Sequence, residues 1–220
     1  MKLAVIPARG GSKRIPRKNI KLFCGKPMIG WSIEAALRSQ IFDQVIVSTD
    51  DSQIADVARP LGAVVPFVRP DELADDHTGT VAVIRHALQW FSANEKCPDY
   101  ACCIYATAPF VMIEDIERGF ELLIQTRMDY VASVTDYPFP IQRALTIDPD
   151  GGLEMLRPEN LDTRSQDLQQ AYHDAGQFYW GRSCAWLEER PIFSKNTAPI
   201  IIPRYRVQDI DGPEDWLCAE

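Results

Sequence analysis

Short apolar runs alternate with amphipathic helical segments through the first part of the chain, and this alternation constrains the fold more than any other feature. Apolar runs predict strands at 3–6, 44–49, 63–67, 100–105 and 130–135. Helical spacing of apolar residues predicts intervening helices at 27–38, 52–61, 79–90 and 114–126. Strands and helices in this order form a doubly wound, mostly parallel sheet with helices on both faces. We therefore predict one three-layer, Rossmann-like α/β domain over residues 1–220.

The regular alternation ends after residue 135. Two short apolar runs at 143–147 and 153–156 flank Asp148-Pro-Asp-Gly-Gly152, a sequence typical of a hairpin turn. Residues 161–170 are polar and predict a loop. Further apolar segments predict a strand at 177–180, an edge strand at 198–202 and a helix that begins at 212–216. We predict that a small hairpin leaves the main sheet in this region.

Composition excludes several classes of protein. Hydrophobic residues make up 46% of the 220 residues, which fits a globular chain with a substantial core. No apolar segment resembles a signal core or a membrane span, so we expect a cytoplasmic protein without a membrane partner. The net charge of -8 argues against nonspecific binding to nucleic acid.

The six cysteines and three histidines show no spacing typical of a metal site. Several cysteines lie in apolar runs, and none form a Cys-x-x-Cys pair. We expect free thiols and no zinc.

Residues 7–21, here called the basic loop, directly follow the first predicted strand. The loop has no acidic residue and six basic ones: Arg9, Lys13, Arg14, Arg17, Lys18 and Lys21. Gly10 and Gly11 permit a sharp bend and bring backbone N–H groups close to a ligand, while Ser12 adds a hydroxyl donor. A loop at the carboxyl end of the first strand lies where α/β sheets bind ligands, which favours a phosphate site. Charge alone leaves a solvated surface loop and a nucleic-acid patch as alternatives.

Asp209 and Asp211 stand two residues apart near the end of the chain. In an extended segment both carboxylates face the same side. Two such oxygen ligands suit Mg²⁺, which completes its shell with substrate phosphates and water. The alternative is a solvent-facing loop whose second aspartate precedes a helix that begins at Pro213.

The basic loop carries a recognisable signature. Ala8-Arg-Gly-Gly-Ser-Lys-Arg14 followed by Pro16, Lys18 and Asn19 resembles the N-terminus of the CMP-sialic acid synthetase family. The similarity continues through 47–50, 69–74, 107–109 and 209–211, and so covers nearly the whole chain.

The resemblance implies a fold of the nucleotide-diphospho-sugar transferase type. It implies an enzyme that transfers CMP from CTP to an eight- or nine-carbon keto sugar acid with the help of Mg²⁺. The family forms homodimers through an arm, which places a dimerisation insertion at about 138–175 and lets each arm help to close the neighbouring active site.

By the same resemblance, the triphosphate would be held by Arg9, Gly11, Ser12, Lys18 and Asn19. Lys18 would neutralise charge on the α-phosphate as pyrophosphate leaves. The implied catalytic set is Arg9, Lys18 and Asp211, and the implied metal ligands are Asp209 and Asp211. Lys13 and Arg14 rank lower, as a solvated flank.

Two further positions match contacts to the cytosine ring, namely Arg69 and Thr80. For Arg69 the alternative is a surface ion pair with Asp71 or Glu72, which would contribute little. For Thr80 the alternative is helix capping.

The chain departs from the sialic acid enzymes where they line the sugar. Tyr105 replaces a glutamine, and Ala175-Gly176 replaces an Asn-Gly pair. The run 171–181 instead resembles the pseudaminic acid cytidylyltransferase branch, which makes Tyr105, His173, Gln177 and Tyr179 candidate sugar contacts. The alternative is a buried strand with a hydrogen-bonded histidine.

We therefore predict transfer of CMP from CTP to pseudaminic acid, with release of pyrophosphate, for surface or flagellar glycan assembly. Within the same class, the alternatives are a sialic, legionaminic or Kdo cytidylyltransferase. From another class, the alternative is a non-catalytic subunit that binds CTP.

Overall fold

The computed structural model describes residues 1–220. The ten strands are β1 (Lys2–Pro7), β2 (Leu22–Phe23), β3 (Lys26–Pro27), β4 (Gln44–Ser48), β5 (Tyr100–Ile104), β6 (Tyr130–Asp136), β7 (Leu145–Ile147), β8 (Leu153–Met155), β9 (Tyr172–Arg182) and β10 (Thr197–Ile201). The six α-helices are α1 (Met28–Arg38), α2 (Ser52–Ala58), α3 (Thr80–Asn94), α4 (Ile113–Gln125), α5 (Ser183–Leu187) and α6 (Pro213–Ala219).

Six strands form the central sheet, in the order β10-β6-β9-β5-β1-β4. Strand β1 runs parallel to both β4 and β5, and β10 runs parallel to β6 at the edge. Strand β9 lies between β5 and β6 and is antiparallel to both. The predicted α/β fold with a mostly parallel sheet is confirmed, and β9 is longer than the predicted 177–180 because it pairs with β6 as far as Tyr172.

Helices cover both faces of this sheet because its strands alternate between two hydrophobic cores. In β1, Ala4 and Ile6 face the core beneath α1, α2 and α4. Leu3 and Val5 face the opposite core, beneath α3 and α5. All four side chains are fully buried, as expected for a central strand with helices on both sides.

The prediction of a third strand at 63–67 is wrong. The segment makes only two isolated parallel bridges, between Ile46 and Val64 and between Thr49 and Val68. Pro66 lies between the two bridges and has no N–H to donate, so a continuous ladder cannot form there.

The predicted hairpin is confirmed, and it lies outside the central sheet. Strands β7 and β8 pair with each other alone. Their apolar side chains Leu145, Ile147 and Leu153 are 55%, 75% and 67% exposed. The hairpin therefore leaves a row of aliphatic side chains uncovered in the single chain.

All six cysteines are free. Burial of the free thiols, expected from the apolar runs, holds for Cys102 and Cys103 in β5, whereas Cys24, Cys184 and Cys218 are exposed. No helix combines the length and the apolar character that crossing a bilayer requires.

Close packing at Gly181 in β9 provides a test of the core. A Cβ at this position would lie 2.6 Å from Cδ1 of Tyr130 and would also overlap the Trp186 indole. Both rings are fully buried. We expect Gly181→Ala to lower the free energy of unfolding by about 1–3 kcal/mol through overpacking, measured by urea denaturation.

Gly30→Ala in α1 is the matched control, because its Cβ would meet Leu61 at an ordinary 3.4 Å. Alanine is the better helix former, so this variant should be at least as stable as the parent. Equal stability of the two variants would contradict the packing described here.

Candidate active site

A cleft of about 650 Å³ opens at the carboxyl ends of the central strands. Its walls come from the basic loop after β1, the segment before α3, the ends of β5 and β9, and residues near Asp209. Five basic side chains line it: Arg9, Lys13, Arg14, Lys18 and Arg69. Five carboxylates face them: Asp75, Asp76, Asp174, Asp209 and Asp211. The cleft is therefore built from opposed charges, which suits a ligand with several anionic groups and an accompanying cation.

The basic loop is held in place by carboxylates that follow β4. Asp50 accepts a hydrogen bond from the Gly10 N–H at 3.1 Å, and Arg17 donates to Asp51 at 2.6 Å. This bond from Arg17 is the main cause that holds the pKa of Asp51 below its usual value. A Cβ at Gly10 would lie 2.6 Å from Oδ2 of Asp51, so only glycine permits this close approach.

Asn19 and Ile15 fix the far end of the same loop. The buried Asn19 donates from Nδ2 to the Arg9 carbonyl at 2.9 Å, and Ile15 packs beside Phe23 and Met28 in a small core. Asn19 and Ser12 both line the cleft. Gly11, in contrast, is not among the residues that line it.

Arg9 and Lys13 are paired with the segment before α3. Arg9 Nη1 contacts Oδ1 of Asp76 at 2.6 Å and the Asp75 carbonyl at 2.9 Å, while Lys13 contacts the other oxygen of Asp76. The hydrogen bonds from Lys13 and then Arg9 lower the pKa of Asp76 to about 2. An anionic ligand at Arg9 and Lys13 must therefore compete with the Asp76 carboxylate.

Lys18 connects the basic loop with the end of the chain. Its Nζ donates to the Ile210 carbonyl at 2.7 Å and lies 3.2 Å from Oδ1 of Asp211. Arg14 contacts the other Asp211 oxygen at 2.8 Å. The predicted catalytic residues Lys18 and Asp211 are thus in direct contact, although 193 positions separate them.

Asp209 and Asp211 both line the cleft, and the chemistry of their surroundings fits a metal site. The Asp209 side chain opens onto the cleft and makes no hydrogen bond or ion pair, yet partial loss of hydration and then the charge of Asp211 raise its pKa. A nearby cation would offset both effects. No three acidic, histidine or cysteine side chains form a metal cluster, so protein side chains alone would not complete a metal's coordination shell. Two carboxylates fit Mg²⁺ when phosphate and water supply the other ligands.

Arg69 lies at the opposite wall and is only 3% exposed. Its nearest carboxylate is Asp50 at 3.4 Å, and its Nε is buried without a partner. The alternative of a surface ion pair with Asp71 or Glu72 is therefore wrong, because the side chain turns inward. Arg69 nevertheless lines the cleft, where a guanidinium can donate hydrogen bonds to a ligand.

Thr80 begins α3 and lines the cleft beside Tyr105. Its hydroxyl lies 3.4 Å from the Tyr105 hydroxyl, which lies 3.2 Å from that of Tyr179. Tyr179 in turn donates to Asp174, whose carboxylate faces the cleft. Burial raises the pKa of both tyrosines, so they remain protonated donors in this chain of hydrogen bonds.

The other predicted sugar contacts lie apart from the cleft lining. Gln177 is buried, and its Nε2 donates to the Arg206 carbonyl at 2.6 Å. His173 packs its ring against Tyr137, with Nδ1 at 2.9 Å from the Asp174 carbonyl. Tyr179 does not line the cleft itself, but its hydroxyl contacts Tyr105 and Asp174, which do. Of the four predicted residues, Tyr105 alone lines the cleft.

Several acidic residues of the site escaped the sequence-based prediction, among them Asp50, Asp76 and Asp174. Asp50 ends the predicted second strand, and Asp174 lies two positions before a glycine with a positive φ of 62°, Gly176. Proximity to strand ends was the available signal. No signal in the sequence pointed to Asp76, because its partners Arg9 and Lys13 lie far away in sequence.

Comparison with known proteins agrees with this geometry. Residues 3–199 match the family model described as "Cytidylyltransferase". The pseudaminic acid cytidylyltransferase of Campylobacter jejuni is 45% identical over 99% of this chain and 94% of its own length. The CMP-N,N'-diacetyllegionaminic acid synthase of Legionella pneumophila is 35% identical over the same shares.

Among solved structures, a CMP:2-keto-3-deoxy-manno-octonic acid synthetase complexed with CTP has the same fold, with a TM-score of 0.71. It is 17% identical, and the match covers 97% of this chain and 94% of that one. The match to the family model and the 45% identity over full length decide the assignment. This chain belongs to the cytidylyltransferase family of enzymes.

The pairing of Asp76 predicts an effect on nucleotide affinity. Asp76→Asn should lower the Michaelis constant for CTP roughly two- to fivefold with little change in kcat, because phosphate no longer displaces an exposed ion pair. Asp71→Asn is the control, since Asp71 lies in the same exposed segment without an ion pair. A higher Michaelis constant in steady-state kinetics would show that Asp76 orders Arg9 and Lys13 instead of competing for them.

Proposed function

We propose that this enzyme transfers CMP from CTP to pseudaminic acid and releases pyrophosphate. The contact of Lys18 with Asp211 is the observation that carries the transfer step, because it joins the basic loop to a carboxylate pair in one cleft. The name of the Campylobacter jejuni relative supports the choice of sugar.

The nucleotide would lie along the basic loop. Arg9, Ser12, Lys18 and Asn19 offer donors to the triphosphate, and the Gly11 backbone shapes the turn that carries them. Arg69 and Thr80 line the same cleft, where Arg69 would donate a hydrogen bond to a ring acceptor of cytosine and Thr80 would add a second polar contact. An Arg69 guanidinium held between buried walls has little freedom to lose when a base binds.

The reaction forms one bond and breaks one. The anomeric oxygen of the sugar acid attacks the α-phosphorus of CTP, the bond from that phosphorus to the β-phosphate oxygen breaks so that pyrophosphate leaves, and the proton of the attacking hydroxyl passes to solvent water. Chemistry of this kind needs mainly alignment and charge stabilisation. Lys18 lies at the edge of the cleft, where its ammonium would stabilise charge that grows as pyrophosphate departs.

We propose Asp209 and Asp211 as ligands of Mg²⁺. When bound, the ion would neutralise phosphate charge and orient the reacting oxygens. Arg14 and Lys18 now contact Asp211, and they would be free to turn toward phosphate once the carboxylate binds a cation.

The sugar acid would occupy the end of the cleft near Tyr105, Asp174 and Gly176. Asp174 is an acceptor fixed by Tyr179 and by the Gly176 N–H at 2.9 Å. Pseudaminic acid offers N–H donors from two acyl-amino groups and a terminal methyl group. A fixed carboxylate beside an aromatic ring suits that combination of donor and apolar surface.

We also propose a cytoplasmic homodimer in which residues 138–175 form the contact arm. The exposed aliphatic row on β7 and β8 supports this, since a partner surface would cover it.

The metal role gives a direct prediction. Asp209→Asn and Asp211→Asn should each reduce kcat far more than tenfold while the thermal transition stays nearly unchanged. Glu214→Gln on α6 is the control, because this carboxylate is exposed and makes no contact with the cleft. A loss below tenfold, equivalent to about 1.4 kcal/mol, would remove both aspartates from the mechanism.

The substrate is tested by comparing sugar acids side by side. We expect the highest kcat/KM for pseudaminic acid, with legionaminic and sialic acids lower, in a pyrophosphate-release assay. Apolar fit alone discriminates by roughly 10–200-fold, and an unpaired hydrogen-bonding group in the site adds more. CTP should be preferred strongly over UTP. A preference for sialic or legionaminic acid would overturn the choice of sugar, and equal use of CTP and UTP would overturn the nucleotide assignment.

A further inference from the structure

In the carboxylate segment, residues 204–211, Val207 packs against the larger core, but few backbone hydrogen bonds fix the path next to Asp209. The backbone N–H groups of Gln208, Asp209 and Ile210 make no hydrogen bond to another backbone group. The position of Asp209 therefore depends on what holds the segment at its two ends.

The downstream end is held by the apolar core and by α6. Ile210 is fully buried beside Trp216, and Asp215 accepts hydrogen bonds from the N–H groups of Asp211 and Gly212 at 3.1 and 2.7 Å. Lys18 adds its contact to the Ile210 carbonyl.

The upstream end is held by Arg206 in two ways. Its guanidinium contacts Oδ2 of Asp115 at 2.6 Å, and its carbonyl accepts a hydrogen bond from Nε2 of Gln177 at 2.6 Å. Asp115 lies in the first turn of α4 and its side chain is only 3% exposed. A buried carboxylate that loses its partner is costly, so this ion pair strongly fixes Arg206.

We propose that Arg206, held by Asp115 and Gln177, is a positioning residue that fixes the carboxylate segment for metal binding. None of the three lines the cleft, so they act through Asp209 and Asp211. Gln177 also belongs to β9, three positions beyond Asp174, so one side chain connects the proposed sugar strand with the metal segment. This inference rests on the proposed role of Asp209 and Asp211.

Asp115 offers a matched pair of variants. Oδ1 accepts from Arg118 at 3.0 Å, and Oδ2 accepts from Arg206. Arg118 belongs to α4 itself, so Arg118→Ala removes an ion pair from the same carboxylate without touching the carboxylate segment. Arg206→Ala removes the bond that reaches this segment.

Two measurements distinguish the variants. We expect Arg206→Ala to raise the Mg²⁺ concentration for half-maximal CTP-dependent activity roughly 10–100-fold, the range for loss of a group that orients a ligand. Hydrogen exchange of the Arg206, Val207 and Asp211 amides, which donate hydrogen bonds in this segment, should become faster in the same variant when it is measured without substrate or metal. Arg118→Ala should change neither quantity, and Arg206→Lys should partly restore both.

If Arg118→Ala and Arg206→Ala had equal effects, the ion pair of Asp115 with Arg206 would only stabilise α4 in general. That result would overturn the proposal. Unchanged exchange in a folded Arg206→Ala would do the same. If Arg206→Ala does not fold, Arg206→Lys carries the comparison, and parent-like values for both measurements contradict the proposal. The exchange result stands even if Asp209→Asn proves active, so failure of the metal role and failure of the positioning role are separable.

Discussion

The contact of Lys18 with Ile210 and Asp211 is the interaction on which the site depends. It joins the basic loop after β1 to the segment before α6. The central sheet alone does not bring these two walls of the cleft together. Lys18 is largely buried in this contact, with 17% of its side chain exposed. A partly desolvated ammonium needs the carbonyl and carboxylate that surround it. The same contact positions the two groups that a departing pyrophosphate and a divalent cation require.

The basic side chains of the cleft form ion pairs with carboxylates that belong to other segments of the chain. Arg9 and Lys13 contact Asp76, Arg14 and Lys18 contact Asp211, and only Arg69 has a distant partner. The pairs made by Arg9, Lys13 and Arg14 are exposed and contribute little to stability, so a phosphate or a cation can exchange with them at low cost. Two other pairs fix the loop and the segment. Arg206 contacts the buried carboxylate of Asp115, and Arg17 contacts the partly buried carboxylate of Asp51.

Periodicity predicted most of the fold, because it reports local burial. The strands at 3–6, 100–105 and 130–135 were found from apolar runs, and the helices between them from helical spacing. The error at 63–67 has a local cause in Pro66, which apolar content conceals. The antiparallel direction of β9 could not be predicted from the sequence. An antiparallel strand between two parallel ones is decided by the path of the chain through the hairpin and not by the composition of the strand.

The site was predictable where one segment contains the chemistry and unpredictable where distant residues meet. The basic loop and the two aspartates were evident as types and spacings, and both line the cleft. Gln177 shows the limit. Its place in β9 and its amide suggested a sugar contact, but successive side chains of a strand face opposite sides. This alternation breaks beside Gly176, where φ is 62° and the pairing of β9 with β6 shifts register, so the side chain of Gln177 instead reaches the Arg206 carbonyl, 29 positions later. Sequence resemblance transfers the residue type, whereas the face of the strand decides whether that residue binds substrate or holds the segment that does.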